Sequence, residues 1–213
     1  MKFMRLFIIV LVLALTSLAC LGTSTQNAPS NVLFSDDFST TDKKWDQVTV
    51  TSATTDYYNN SYHILINDTN SDAWANPGSE SFTDVHIEVD ATKNSGPDDN
   101  DFGIICRYAD VDHFYYGIIS SDGYYGIMKM TSNGGNPIGS DNLLQNDKII
   151  QGATTNKIRF DCVGSTLTLS VNGNQIDQQT DTEYTAGNVG LIAGTFDTPG
   201  ADILFDNFFV YKP

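Results

Sequence analysis

Two carboxylates in a strictly alternating stretch are the first candidates for chemistry. In Val85–Ala91 the apolar residues Val85, Ile87, Val89 and Ala91 take one face of an extended strand, and Glu88 and Asp90 share the other with His86. Paired carboxylates about 5 Å apart are what retaining cleavage of a glycosidic bond needs, one as acid and one as nucleophile. A second constellation would bind rather than cleave. Arg107, Tyr116, Tyr125 and Lys129 fall within Asp101–Met130, with Trp74 upstream as a rim residue. Aromatic rings offer flat apolar surface to a sugar, and charged groups hold its hydroxyl edges.

Whether those four residues meet depends on strand register. Asp122-Gly123 between β-forming residues predicts a two-residue type I′ hairpin, in which both central residues take positive φ. Ile118 then faces Ile127, and Tyr116 faces Lys129. A loop over Asp110–His113 places Arg107 opposite Tyr116 and Cys106 opposite Gly117. This pairing puts Arg107, Tyr116, Tyr125 and Lys129 on one face; a slip of one residue would exchange the faces.

Other chemistries have weaker support. His63, His86 and His113 have no serine or cysteine neighbour in a nucleophile-elbow context. Hard carboxylate oxygens could hold a structural calcium, either Asp36 or Asp37 with Asp206 on adjoining end strands, or the loop Asp98, Asp99 and Asp101. Turn and cap roles are the better account of these aspartates, since Asp is common in turns. Cys106 and Cys162 each lie on the apolar parity of their stretches, with Phe102 and Ile104 and with Ile158 and Phe160. A disulfide between facing or neighbouring strands is expected if the chain is exported.

The N-terminus supplies that address. Met1–Arg5 is basic, Leu6–Ala14 is apolar, and small residues precede Cys20, the layout of a secretory leader. Leu18-Ala19-Cys20 resembles the lipobox of bacterial lipoproteins. The resemblance implies cleavage before Cys20, lipidation of its thiol and anchoring outside the cytoplasm. The expected divisions are a signal peptide over 1–19, a polar tether over 20–31 and one domain over 32–213. Loss of Lys2 and Arg5 with the leader takes the formal charge from −15 to −17, which disfavours nucleic acid and anionic membrane surfaces as partners.

The elements that must position these residues are strands. No stretch sustains a helical period, and turn signals separate roughly eleven to thirteen β-rich segments, the pattern of an all-β antiparallel sandwich or jelly roll. Asn172-Gly173 is a second strong hairpin signal. Phe34–Phe38, Phe102–Tyr108, Ser120–Ile127, Leu167–Gly173, Gly187–Phe196 and Phe205–Phe208 together resemble the concanavalin A-like, laminin G-like jelly rolls of bacterial exported proteins. The resemblance covers nearly all of 32–213 and implies two stacked curved sheets, often with a glycan-binding face. Retaining glycanases of this fold carry a Glu-x-Asp-x-x-Glu strand; Lys93 stands here where the last Glu would be. Three functions are therefore expected in order: a membrane-anchored module that binds a glycan or other surface ligand without turnover, a polysaccharide hydrolase or lyase using Glu88 and Asp90, and a structural or adhesion module.

Overall fold

Alternation of apolar and polar residues becomes strand after strand with one face inward. The computed structural model describes residues 31–213; the stretches expected to form a leader and a tether, with Cys20, lie outside the described residues. The described chain contains no helix. Its strands are β1 (Val32–Asp36), β2 (Val48–Thr49), β3 (Ala53–Tyr58), β4 (Ser61–Ile66), β5 (Ser71–Ala75), β6 (Val85–Ser95), β7 (Asp101–Asp110) and β8 (His113–Ile119). They continue as β9 (Tyr124–Thr131), β10 (Gly134–Pro137), β11 (Leu144–Gln145), β12 (Thr155–Val163), β13 (Thr166–Val171), β14 (Asn174–Thr180), β15 (Asn188–Thr195) and β16 (Ala201–Tyr211). A nine-stranded sheet runs β14-β13-β12-β6-β16-β4-β3-β2, with β1 also on β16. A seven-stranded sheet runs β10-β9-β8-β7-β15-β5, with β11 also on β9. All pairings are antiparallel. The sandwich is the architecture expected from the sequence; the short strands β2, β10 and β11 raise the count.

Between the sheets lies one core. The nine-stranded sheet contributes Val85, Ile87, Val89, Ile158, Phe160, Leu167, Leu169, Ile203 and Phe205, and the seven-stranded sheet contributes Phe102, Ile104, Tyr115, Ile119, Ile127, Val189 and Leu191. Gly117 belongs to this inner face because a side-chain carbon there would press on the Phe160 ring. Cys106 of β7 and Cys162 of β12 are joined in a disulfide that ties the sheets together, as expected, with Cα atoms 6.7 Å apart.

Two turns decide register. Asn172 and Gly173 both take positive φ, +50° and +78°, and β13 and β14 close as the predicted two-residue hairpin. The Asp122-Gly123 turn differs. Only Gly123 has positive φ (+96°), its N–H donates to the Ser120 carbonyl, and Ser120 pairs with Tyr124 across a three-residue link. The extra residue moves β9 by one against β8, so Tyr116 faces Met128 and Tyr115 faces Lys129. Tyr116 and Ile118 are thereby on the opposite face from Tyr125, Ile127 and Lys129, which corrects the expected shared face.

The β7–β8 hairpin carries a second irregularity. Cys106 pairs with Tyr115 and Asp110 with His113, and the register shifts between them at a bulge where Arg107 has φ +54°. Arg107 therefore does not pair with Tyr116.

Reducing the inter-sheet bridge should matter more than any surface change. The chain-entropy account assigns about 4 kcal/mol to a link closing a loop of this length. Cys106→Ser with Cys162→Ser should lower the urea midpoint of unfolding correspondingly, and dithiothreitol should do the same to the native chain alone. An unchanged midpoint in both would show that the bridge adds nothing to the packed core.

Candidate functional site

The seven-stranded sheet is buried on both sides at its centre. β15 has no exposed residue, and on the outer face Ile105, Phe114, Ile118, Met128, Met130 and Ile192 form a second apolar cluster with Trp74, Tyr108 and Leu143 packed against it. Phe114 is its hub, with ring centres 5.6 Å from Trp74, 5.3 Å from Tyr108 and 5.5 Å from Tyr116. Beside this cluster two adjoining cavities, of about 280 and 370 Å³, share Asn142, Leu143 and Phe196 and make a groove. The smaller is walled by Asp72, Asp101, Tyr116, Ile118 and Met128, the larger by Asp99, Ser120, Asp122 and Tyr124.

Asp72 and Asp101 come together because Gly194 of β15 pairs with both, Asp72 on one side and Asp101 on the other. Their carboxylate oxygens stand 2.5 and 2.6 Å from the point a Cβ at 194 would occupy. The two oxygens therefore lie within about 5 Å of each other, close enough for each group to feel the other's charge. Asp101 is 8% exposed, and neither its carboxyl nor the hydroxyl of the 4%-exposed Tyr116 hydrogen-bonds to any described residue. Loss of water, with Asp72 adding repulsion, pushes the Asp101 carboxyl up to about 8. Asp72 keeps one side open to water, and crowding on its other side raises it too. Tyr116 is raised by burial and by both aspartates.

The sequence-predicted residues divide between sites. Tyr116 and Trp74 lie together on the outer face of the seven-stranded sheet. Tyr125 turns into the core between the sheets. Lys129 shares that inner side and ends in ion pairs with Asp181 (2.7 Å) and Glu183 (2.9 Å), whose bonds raise its pKa. Arg107, 2% exposed, donates to the carbonyls of Thr83, Tyr184 and Gly164 and to Asp84, so its bulge points it into the end of the sandwich and not at a ligand. The expected four-residue recognition face is not formed.

Glu88 and Asp90 do share a face, the outer face of the nine-stranded sheet, but each already has a cation. Arg159 reaches Glu88 at 3.2 Å and Lys157 reaches Asp90 at 2.9 Å, with Asn207 also on Asp90. Asp36 and Asp206 do not meet. Asp36 is buried and accepts from the Phe38 N–H and the Trp45 indole N–H, both at 2.9 Å. Asp206 stands by Asp90 on the outer face, past a bulge where Asn207 has φ +53°. In the third acidic stretch Asp98 pairs with Lys93, while Asp99 and Asp101 line the groove. His63 sits between Asp56 and Asp202, at 3.0 and 3.1 Å.

Sequence reasoning missed Asp72 altogether and took Asp101 for a loop ligand. The available signal was Gly194, a glycine inside an apolar strand, which often marks close approach of another group.

No family model matches the chain, and no curated protein does. Among solved structures it is similar to a carbohydrate-binding module, CBM66, from Bacillus subtilis, at 15% identity and TM-score 0.64, over 79% of this chain and 95% of that one. It is also similar to a Bacillus subtilis protein of unknown function with a galectin-like fold (12%, 0.61, 85% and 96%) and to a Bacillus licheniformis β-glucanase (9%, 0.60, 84% and 98%). At these identities the likeness is one of fold: an antiparallel jelly-roll sandwich.

The raised Asp101 has a measurable consequence. A carboxyl whose folded pKa exceeds its unfolded value of about 3.9 stabilises most below that value, and the contribution is lost as pH rises toward about 8. Asp101→Asn should leave stability near pH 4 little changed and raise it at pH 8 by roughly 1 to 3 kcal/mol. Urea unfolding at the two pH values checks this; a difference independent of pH would refute the buried, uncompensated carboxyl.

Proposed function

We propose that the protein is an exported module that binds a glycan in the groove on the outer face of the seven-stranded sheet. One observation carries this reading: Asp101 and Tyr116, two largely buried polar side chains without protein hydrogen bonds, open their polar ends on the same cavity, where Ile118, Met128 and Leu143 add apolar wall. Sugars combine hydroxyl edges that would satisfy such groups with ring faces that pack on apolar surface. Trp74, backed by Phe114, extends that surface. The similar folds include a carbohydrate-binding module and a β-glucanase, which supports a glycan as ligand. The disulfide supports an oxidising compartment, and the leader with Cys20 would tether the module to a membrane.

A second reading, hydrolysis, is favoured by the same acid pair. Carboxyls within about 5 Å, one open to water and one buried, fit a retaining division of labour. Asp101 would protonate the leaving oxygen and Asp72 would attack the sugar carbon, with water later releasing the ester.

The two are separated with a panel of soluble polysaccharides. Binding by calorimetry should weaken about tenfold in Tyr116→Phe, the cost of one buried hydrogen bond to ligand, with an unchanged unfolding midpoint because that hydroxyl has no protein partner. Equal affinity in Tyr116→Phe would remove the groove from the reading. Release of reducing ends by the native chain and not by Asp72→Asn would establish hydrolysis; binding without release leaves the module non-catalytic.

A further inference from the structure

Charge in the groove points to a narrower ligand class. Asp72, Asp99, Asp101 and Asp122 line the two adjoining cavities, and no lysine, arginine or histidine lines either. Several acids elsewhere have a base beside them: Glu88, Asp90, Asp84, Asp98, Asp181 and Glu183 each stand in an ion pair. The four acids of the groove have no such base among the described residues. Burying a lone carboxyl is costly unless a partner arrives, and Asp101 is buried without one.

Resting on the reading that the groove binds a glycan, we propose that it selects a sugar bearing a protonated primary amine, a de-N-acetylated hexosamine, with the ammonium held between Asp72 and Asp101. The geometry suits this group. Two oxygens within about 5 Å allow a single nitrogen to sit 2.7 to 2.9 Å from both, the range of charge-assisted hydrogen bonds. Gly194 leaves that position empty; any side chain there would collide with both carboxylates. Ile118, Met128, Leu143 and the part-exposed Phe196 give the ring an apolar wall. A calcium ion would want six to eight oxygens, and among the described residues no three His, Cys, Asp or Glu side chains converge to hold a metal. Uronic or sulfated sugars would meet four carboxylates and no cation. Loss of water, and then the charge of Asp72 from β5, favour the protonated Asp101 in the free protein; Tyr116 from β8 also faces it in the cavity. An arriving ammonium reverses that balance, and the proton passes to buffer.

The test compares oligomers of one length and linkage on the full chain: glucosamine, N-acetylglucosamine, glucose and galacturonate. The glucosamine oligomer should bind at least tenfold more tightly than its N-acetylated counterpart, lose affinity with added salt, and release a proton detectable in calorimetry across buffers of different ionisation enthalpy. The preference should vanish in Asp101→Asn and in the more exposed Asp72→Asn, so that misfolding of one variant does not blur the result. N-acetylated or glucose oligomers binding as tightly would overturn amine selection while leaving the glycan reading in place. No binding by any oligomer would take down both. Calcium chloride binding alone, lost in Asp72→Asn, would give the pair to a metal and overturn the inference.

Discussion

The Cys106–Cys162 bridge fixes which way β7 faces, and much of the molecule follows from that. A half-cystine in β7 that meets one in β12 must point between the sheets. Side chains alternate along the unbroken register from Asp101 to Cys106, so Phe102 and Ile104 go inward with it and Asp101, Gly103 and Ile105 go outward. Asp101 is therefore held on the outer face by the same constraint that builds the core. It cannot turn inward to escape without breaking the pairing with β15 and β8.

The two outer faces answer the presence of charge in different ways. On the nine-stranded sheet Glu88, Asp90 and Asp161 alternate with Lys157 and Arg159, and each of these three acids has a base in reach. Such exposed pairs add little stability, about 0 to 1 kcal/mol each, but they give these carboxylates a partner. On the seven-stranded sheet the outer centre is apolar enough to bury Ile105, Phe114 and Ile192. A carboxyl set at the edge of that surface has lost much of its water and gained no base.

The fold was legible because period-two alternation and turn chemistry are local. Val85–Ala91 read correctly from the chain alone, and Asn172-Gly173 closed as its residues demand. The candidate site was not legible, for two physical reasons. Asp122-Gly123 admits both a two-residue turn and a three-residue turn with glycine last, and choosing between them flips the face of β9. Arg107 occupies a left-handed conformation that no residue type announces; only its buried acceptors, the carbonyls of Thr83, Tyr184 and Gly164, hold it there. The assumed face of Arg107, Tyr116, Tyr125 and Lys129 needed both local choices to be right.

Asp72 and Asp101 show the complementary difficulty. Neither lies in a motif, and their strands are not neighbours in the chain or in the sheet; they meet only because β15 inserts between β5 and β7 and offers Gly194 at that level. A larger residue there would push the carboxyls apart and fill the cavity, at no cost to the alternation that makes β15 a strand. The glycine is thus unexplained by the fold and explained by the groove. Stability alone would favour a base beside Asp101 or an apolar residue in its place. Glu88, Asp90 and Asp161 each have a base beside them, whereas Asp101, held on a strand between β8 and β15, has none; under the proposed reading a ligand in the groove would supply it.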